Sequence, residues 1–177
     1  AAGDTIPVTK RALRPVVYYT SANTPKELRP GAVGLESSWD QAFRRAVAVP
    51  RGLEISKVPQ MFYVCETPVP KGAPAACGKE GTYVRMGDIR YNQVPYVEQV
   101  TGGLIGLGPS SLDPETGEIV QAVANVYGPG LDSWSGAAAQ VLDVLNGETS
   151  LTDLVVGKDI KDYVFSNLNA TDPRRPA

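Results

Sequence analysis

The sequence predicts an α+β fold: a mixed, mostly sequential β-sheet backed by a long N-terminal helix, with a second helix after an edge hairpin. Three observations predict this class. Apolar residues recur at helical spacing over 28–46, short β-branched runs follow, and a turn-rich loop precedes the longest of them. Helices flanking consecutive strands are typical of a sheet with helices packed on it. The 177 residues suffice for one domain with a sizeable core.

The N-terminal part is expected to contain an arm, a strand and the start of a helix. An extended arm covers residues 1–14, and the run PVVYYT at 15–20 is β-branched and aromatic, as in a strand. Thr24 is the expected helix cap, with Glu27 completing a capping box. The proline–glycine pair at 30–31 should kink or restart the helix.

The long helix has an apolar face and a charged face. The apolar face is predicted to pack in the core, and its residues are Leu28, Ala32, Leu35, Trp39, Ala42, Phe43 and Ala46. The opposite face is expected to be solvated charge, formed by Glu36, Asp40, Arg44 and Arg45.

The middle of the chain should form strands. Short strands are predicted at Glu54–Val58, at Met61–Cys65 and within Asp88–Val94. A hairpin is predicted over Gly106–Tyr127, because proline and glycine punctuate its first half. Its second strand, Ile119–Tyr127, is apolar and β-branched.

Helices are expected again toward the C-terminus. The Gly-Pro-Gly run at 128–130 breaks the chain, and Asp132 or Ser133 is the expected cap of a second helix that ends at Gly147. A last helix is predicted over Asp159–Leu168.

Charge and cysteine content narrow the function classes. The net charge is −2, from 17 basic and 19 acidic residues without a basic cluster, which argues against a nucleic-acid partner. No run approaches the roughly 18 apolar residues of a membrane span. Cys65 and Cys77 flank a rigid Pro/Gly loop, which favours a disulfide and an oxidising compartment. Two unpaired thiols are the alternative.

Several segments in this order resemble the N-terminal half of a metzincin-like domain from large bacterial secreted zinc-dependent metalloproteases. The first strand and long helix carry the resemblance, together with GDIRYNQVPYV at 87–97 and GPSSLDPETGEIVQAVANVYG at 108–128. The paired cysteines also fit. The resemblance implies a secreted, periplasmic or cell-surface protein. It divides the chain into the arm at 1–14, a metzincin-like α/β subdomain at 15–147, and a C-terminal helical segment and tail at 148–177.

Enzymes of this kind hold zinc with a His-Glu-x-x-His helix, and the chain has no histidine. We therefore expect no catalytic residue and no metal ligand here. No cofactor is expected in this chain, although the resemblance implies zinc for the full-length family. The chain would be a fragment whose zinc helix lies downstream, or a complete domain that has lost the metal, and the first is favoured.

The resemblance implies that this chain is the scaffold and substrate-cleft half of a secreted zinc-dependent metallopeptidase, inactive alone. Its partners would be a peptide or protein substrate, when the rest of the catalytic domain is present, and its own missing C-terminal half. The alternative is a non-catalytic extracytoplasmic binding or structural module on a degenerate peptidase scaffold.

The resemblance also implies a substrate-binding strand next to the cleft. Edge strands bind extended peptides through main-chain hydrogen bonds, which require no special side chains. The predicted substrate-binding residues are Ile119, Val120, Gln121, Ala122, Val123, Ala124 and Asn125. The alternative is an ordinary strand paired on both sides. The acidic run at 113–118 could hold calcium, but a turn is favoured because the alternating oxygen ligands of a calcium loop are missing.

Overall fold

The computed structural model of the chain describes residues 6–101 and 103–157. The chain divides into two compact units, one through Gly128 and one from Pro129 onward. The first unit contains the strands of the described residues and the long N-terminal helix. The predicted helix Asp159–Leu168 and the tail at 171–177 lie outside the described residues. The predicted division at residues 14 and 147 stays a prediction.

Three short strands pair in parallel: β1 (Val16–Thr20), β2 (Phe62–Cys65) and β3 (Asn92–Val94). β1 lies in the centre, with β2 on one side and β3 on the other. Parallel neighbours cannot be joined by a tight turn, so the chain crosses from β1 to β2 through the helix α1 (Arg29–Arg51). This order is less sequential than expected.

The remaining strands continue alongside β3: β4 (Tyr96–Val97), β5 (Gly106–Leu107), β6 (Ser110–Leu112), β7 (Ile119–Ala122) and β8 (Asn125–Tyr127). β8 is parallel to β4 and antiparallel to β5, and β6 pairs antiparallel with β7. The Ala124 amide donates to the Gln93 carbonyl at 2.8 Å, which joins the β7–β8 segment to β3. The fold is mixed α+β, as the sequence predicts. The described strands form three small adjoining sheets, β2-β1-β3, β4-β8-β5 and β6-β7, where a single sheet was expected.

The long helix restarts at the predicted proline–glycine pair. A 3₁₀ turn at Lys26–Leu28 precedes α1, and Pro30 lies in the first turn of α1. The expected capping box is wrong, because the Thr24 hydroxyl lies 3.1 Å from the Ser21 hydroxyl instead of capping the helix. The helix ends at Gly52, whose φ of 63° is left-handed.

Two further helices, α2 (Gly128–Leu145) and α3 (Leu151–Val156), follow the last strand. α2 begins earlier than the expected Asp132 or Ser133, and Gly147 follows it with a positive φ of 78°, as predicted for a terminating glycine. The sequence reasoning did not anticipate α3, which is capped by the Ser150 hydroxyl accepting from the Asp153 amide.

Two predictions near the N-terminal half are corrected. Glu54–Val58 is not a strand, because the Lys57 amide donates to the Glu54 carbonyl and the Val58 amide to Ile55, which closes a 3₁₀ turn. The predicted extended arm contains another such turn at Val8–Lys10 within its described residues.

The parallel strands bury one cluster on each face of the sheet. On one face, Phe62 stacks on Phe43 of α1 with 5.8 Å between ring centroids, and Trp39 packs beside it. On the other face, Tyr19 and Cys65 form a buried cluster with residues of the loop after β2. The prediction that this helix face packs on the core is confirmed for Phe43 and in part for Trp39, which is 51% exposed. It is wrong for Ala42 and Ala46, which are exposed, while Ala48 is buried instead.

The loop after β2 is closed by a disulfide between Cys65 and Cys77, whose Cα atoms lie 5.6 Å apart. Both cysteines are buried, and the Tyr19 hydroxyl donates to the Cys77 carbonyl at 3.1 Å. The predicted disulfide is confirmed, and it covers the sheet face opposite α1. A disulfide is compatible with an extracellular location.

Candidate functional site

The predicted substrate-binding residues lie in β7, in β8 and in the link between them. The Val123 amide donates to the Pro109 carbonyl at 2.9 Å on one side, and the Ala124 amide donates to Gln93 on the other. The Ala122 amide donates to the Asn92 side chain at 2.8 Å. The main chain at 122–124 is therefore already paired, which matches the ordinary-strand alternative for this part of the segment.

The side chains of these residues point to different environments. Gln121 is buried, and its side-chain Nε2 donates to the Tyr91 carbonyl at 3.2 Å. This bond holds the loop that precedes β3. Ile119 and Val120 are more than half exposed, and the Asn125 side chain donates to the Leu107 carbonyl at 3.1 Å. A role of the seven residues in substrate binding stays a prediction, and it would have to use exposed side chains.

The open edge of the sheet is the neighbouring segment Gly106–Leu112, here called the edge strand. Its inner side is occupied, since Ile105 accepts from the Tyr127 amide and Pro109 from the Val123 amide. Alternation along a strand then turns the main-chain groups of Gly106, Gly108 and Ser110 outward. No other strand in the described part of the chain pairs with that side.

The edge strand has few of the features that keep a further strand from adding to a sheet. It carries no charged residue, and Leu107 and Leu112 are both more than half exposed. Pro109 turns its nitrogen inward, so all outward amides are intact. Gly106 fits closely, because a Cβ there would lie 3.2 Å from the Asn125 carbonyl oxygen. Natural edges usually carry charges, bulges or covers. This segment carries no charge, and its pairing with β7 has a bulge between Ser111 and Leu112, so Gly106–Ser110 is its regular part.

The hairpin tip beside the edge strand is an Asx turn. The Asp113 carboxylate accepts from the Glu115 amide at 2.8 Å and from the Thr116 hydroxyl at 2.9 Å. These bonds stabilise the charged form, so the Glu115 amide first and the Thr116 hydroxyl second lower the pKa of Asp113. The turn accounts for this acidic run, in agreement with the favoured sequence interpretation.

The opposite edge of the sheet, β2, is covered by two carboxylates of α1. Asp40 accepts from the Met61 amide at 2.6 Å and the Phe62 amide at 3.3 Å, and Glu36 accepts from the Val64 amide at 2.7 Å. The expectation of a solvated charged face is therefore wrong for these two residues. Their spacing of four residues on one helix face was the available signal, since it matches alternate amides of a strand beside the helix.

The loop before β3 is held by a second electrostatic contact. Arg90 donates to the Asp88 carboxylate at 2.9 Å and 2.7 Å. This bond, with the Arg90 amide as the next contribution, lowers the pKa of Asp88 to about 2. The side chain of buried Gln93 donates to the Asp88 carbonyl at 3.2 Å, so β3 also holds this loop.

An apolar cavity of about 200 Å³ lies between α1 and the sheet. It brings Ala124, one of the predicted substrate residues, onto the same surface as aromatic residues of α1 and of the strands. Its lining consists of Val16, Tyr18, Leu35, Trp39, Phe43, Phe62, Val94 and Ala124. The Tyr18 phenol is the one ionisable group in this lining, so the cavity offers apolar packing rather than acid–base chemistry.

The residues present do not fit a zinc site. The sequence has no histidine. Within residues 6–101 and 103–157, no group of three or more metal-ligating side chains comes together. The carboxylates of Glu36 and Asp40, four residues apart on α1, already accept hydrogen bonds from backbone amides. No metal-dependent step can be assigned to these side chains.

None of the helices in the described ranges is long and apolar enough to cross a membrane. Comparison with protein-family models, with curated proteins and with solved structures finds no match to this chain.

Proposed function

We propose that this chain is the scaffold and substrate-cleft half of a secreted zinc-dependent metallopeptidase. In this role it binds an extended peptide but does not hydrolyse it, because the zinc site is not among its residues. The observation that carries the proposal is the open, uncharged edge strand Gly106–Leu112, antiparallel to the strand beside it.

The edge strand supports peptide binding by strand addition. Gly106, Gly108 and Ser110 present main-chain donors and acceptors at the two-residue interval that an added strand requires. Two of the three lack a side chain, so a peptide backbone can approach closely. Exposed Leu107 and Leu112 offer apolar contacts to alternate side chains of the peptide.

The rest of the first unit supports the same role by holding the edge rigid. The edge strand pairs with β7 and β8, which pair through Gln93 and Pro95 with the central parallel strands. α1 and the disulfide-closed loop cover opposite faces of those strands. A peptide on the edge strand would be held in a fixed direction for a catalytic group brought by another segment.

The experiment is a titration of the full ¹⁵N-labelled chain with an extended alanine- and valine-rich heptapeptide. We expect amide shifts at Gly106, Gly108 and Ser110. Ser110→Pro removes one outward donor and should weaken binding at least about tenfold, whereas Ser111→Ala leaves the outward groups intact. Two N-methylated peptides serve as a further control. Methylation of the alternate residues whose N–H groups face the edge strand should abolish binding, and methylation of the other residues should not. Equal binding by both variants would refute strand addition.

A protease assay tests the other half of the proposal. With zinc added, the chain alone should hydrolyse no peptide, and hydrolysis would overturn the assignment of the zinc site to another segment. The alternative is a non-catalytic extracytoplasmic binding or structural module. A His-Glu-x-x-His motif in the same reading frame would support the peptidase, and a frame without one would support the module.

A further inference from the structure

A second, smaller cavity of about 120 Å³ lies at the C-terminal ends of β1 and β2, beside the first two turns of α1. In open sheets with parallel strands, ligands commonly bind outside the C-terminal ends of the strands. Its lining is mostly polar or small: Thr20, Ser21, Ala22, Thr24, Arg29, Ala32, Val33, Glu36, Val64, Glu66 and Thr67. The cavity is well separated in the sheet from the edge strand.

Thr67 is the first sign that this cavity receives a ligand. The residue is only 7% exposed, and its hydroxyl oxygen has no hydrogen-bond partner. Buried hydroxyl groups are nearly always hydrogen-bonded. A hydroxyl that loses its bonds to water on burial and gains no other partner destabilises the folded state. The oxygen itself is shielded from solvent, so a bound group reaches it once the Thr67 side chain turns toward the cavity, and a hydrogen bond to that group then satisfies the hydroxyl.

Glu36 is the second sign, because its carboxylate has no cation. One oxygen accepts from the Gln60 side chain at 3.0 Å and the other from the Val64 amide at 2.7 Å. A carboxylate offers about four acceptor positions, so half of them remain. Among the residues that the structure describes, Glu36 forms no ion pair.

The other two charges in the lining balance each other. Arg29 lies 3.0 Å from the Glu66 carboxylate, and this pair stands at the exposed side of the cavity. The net charge of the lining is therefore that of Glu36, which is negative. A cation that donates hydrogen bonds is the complement of such a site.

We propose that this cavity binds a primary ammonium group. The three N–H donors of an ammonium match the Glu36 carboxylate, the unpaired Thr67 hydroxyl and the Thr20 hydroxyl. The Thr20 oxygen can still accept, since its only contact is a weak donation to the Cys65 carbonyl at 3.4 Å. The volume suits an ammonium on a short alkyl chain, from a free amine or from a lysine side chain.

The test is an NMR titration of the full ¹⁵N-labelled chain with methylammonium chloride, at ionic strength held constant with sodium chloride. We expect saturable shifts at Thr20, Ser21, Glu36 and Thr67. Tetramethylammonium, a cation without N–H donors, should give none. A parallel titration with Nα-acetyl-lysine methylamide distinguishes a lysine side chain from a free amine, and the tighter of the two identifies the source.

Two variants separate binding from folding. Thr67→Val keeps the shape and removes the unpaired hydroxyl, so the free protein should be as stable as wild type or more stable. Its affinity for methylammonium should fall at least about tenfold. Glu36→Gln keeps an acceptor for the Val64 amide and removes the charge, and it should also weaken binding.

Three results would overturn the proposal. They are shifts that do not saturate, equal responses to methylammonium and tetramethylammonium, and unchanged affinity in Thr67→Val. The first would mean that the cavity holds water only.

Discussion

Removing the Asp40 carboxylate should destabilise the fold strongly, although the residue was expected to be a surface charge. Its oxygen accepts from the Met61 and Phe62 amides, and its second oxygen lies 3.6 Å from the Arg44 guanidinium. Asp40→Ala leaves both amides without a partner. Hydrogen bonds to charged groups contribute about 1.5–3 kcal/mol each, and water can reach part of the site, so we expect a loss of about 2–4 kcal/mol.

The free energy of unfolding can be measured by urea denaturation followed by circular dichroism. For a chain of this length, the same loss corresponds to a fall in Tm of roughly 5–15 °C. Asp40→Asn keeps an oxygen that can accept from Met61, and it should cost only about 1 kcal/mol. Hydrogen exchange at the Met61 and Phe62 amides should accelerate in Asp40→Ala.

The matched control is Glu27→Ala, which removes an exposed acid just before α1. It should change the stability by no more than about 0.5 kcal/mol. If Asp40→Ala lies within that range of the control, the carboxylate does not stabilise the β2 edge and the argument from the two amides fails.

Three further changes test other contacts. Gly128→Ala should cost about 1–3 kcal/mol in urea denaturation, because a Cβ there would lie 2.0 Å from the Tyr96 hydroxyl oxygen and the ring must move; Gly136→Ala, with open space around it, should be neutral or stabilising, and a reversed order would contradict the packing. Replacing both Cys65 and Cys77 by serine should cost about 2–5 kcal/mol, and an unchanged Tm would show that the cross-link adds nothing. The Asp88 carboxyl should titrate near 2 by ¹³C NMR and move up toward its ordinary value in Arg90→Gln. Since its folded pKa is lowered, the stability from this pair is present above its unfolded pKa of about 4 and is lost as the pH falls toward 2; a midpoint near 4 in both proteins would contradict the contact.

Local patterns predicted the elements whose signals are strong. The apolar spacing around Trp39 and Phe43 identified α1, and the run Met61–Cys65 identified β2, because burial and periodicity act over a few residues. The prediction of a strand at Glu54–Val58 was wrong because it also used only a few neighbouring residues. An apolar pair in a short segment does not distinguish a strand from a 3₁₀ turn when no neighbouring strand is known.

The features that depend on distant neighbours could not be predicted. Whether Ile119–Asn125 or Gly106–Leu112 forms the open edge is decided by which strand pairs with β3, and sequence pattern does not contain that information. Glu36 and Asp40 look like surface charges until β2 is placed beside α1. The cavity around Thr67 likewise forms only where β1, β2 and α1 meet.

The two edges of the sheet differ in a way that limits self-association. A sheet with two open edges can add copies without end and grow into a fibril. Here the carboxylates of α1 occupy the outward amides of β2, so in the described part of the chain Gly106–Leu112 is the side at which a further strand can add. Two copies joined through that segment would each present the carboxylate-covered edge of β2, which disfavours the addition of a third copy at that edge.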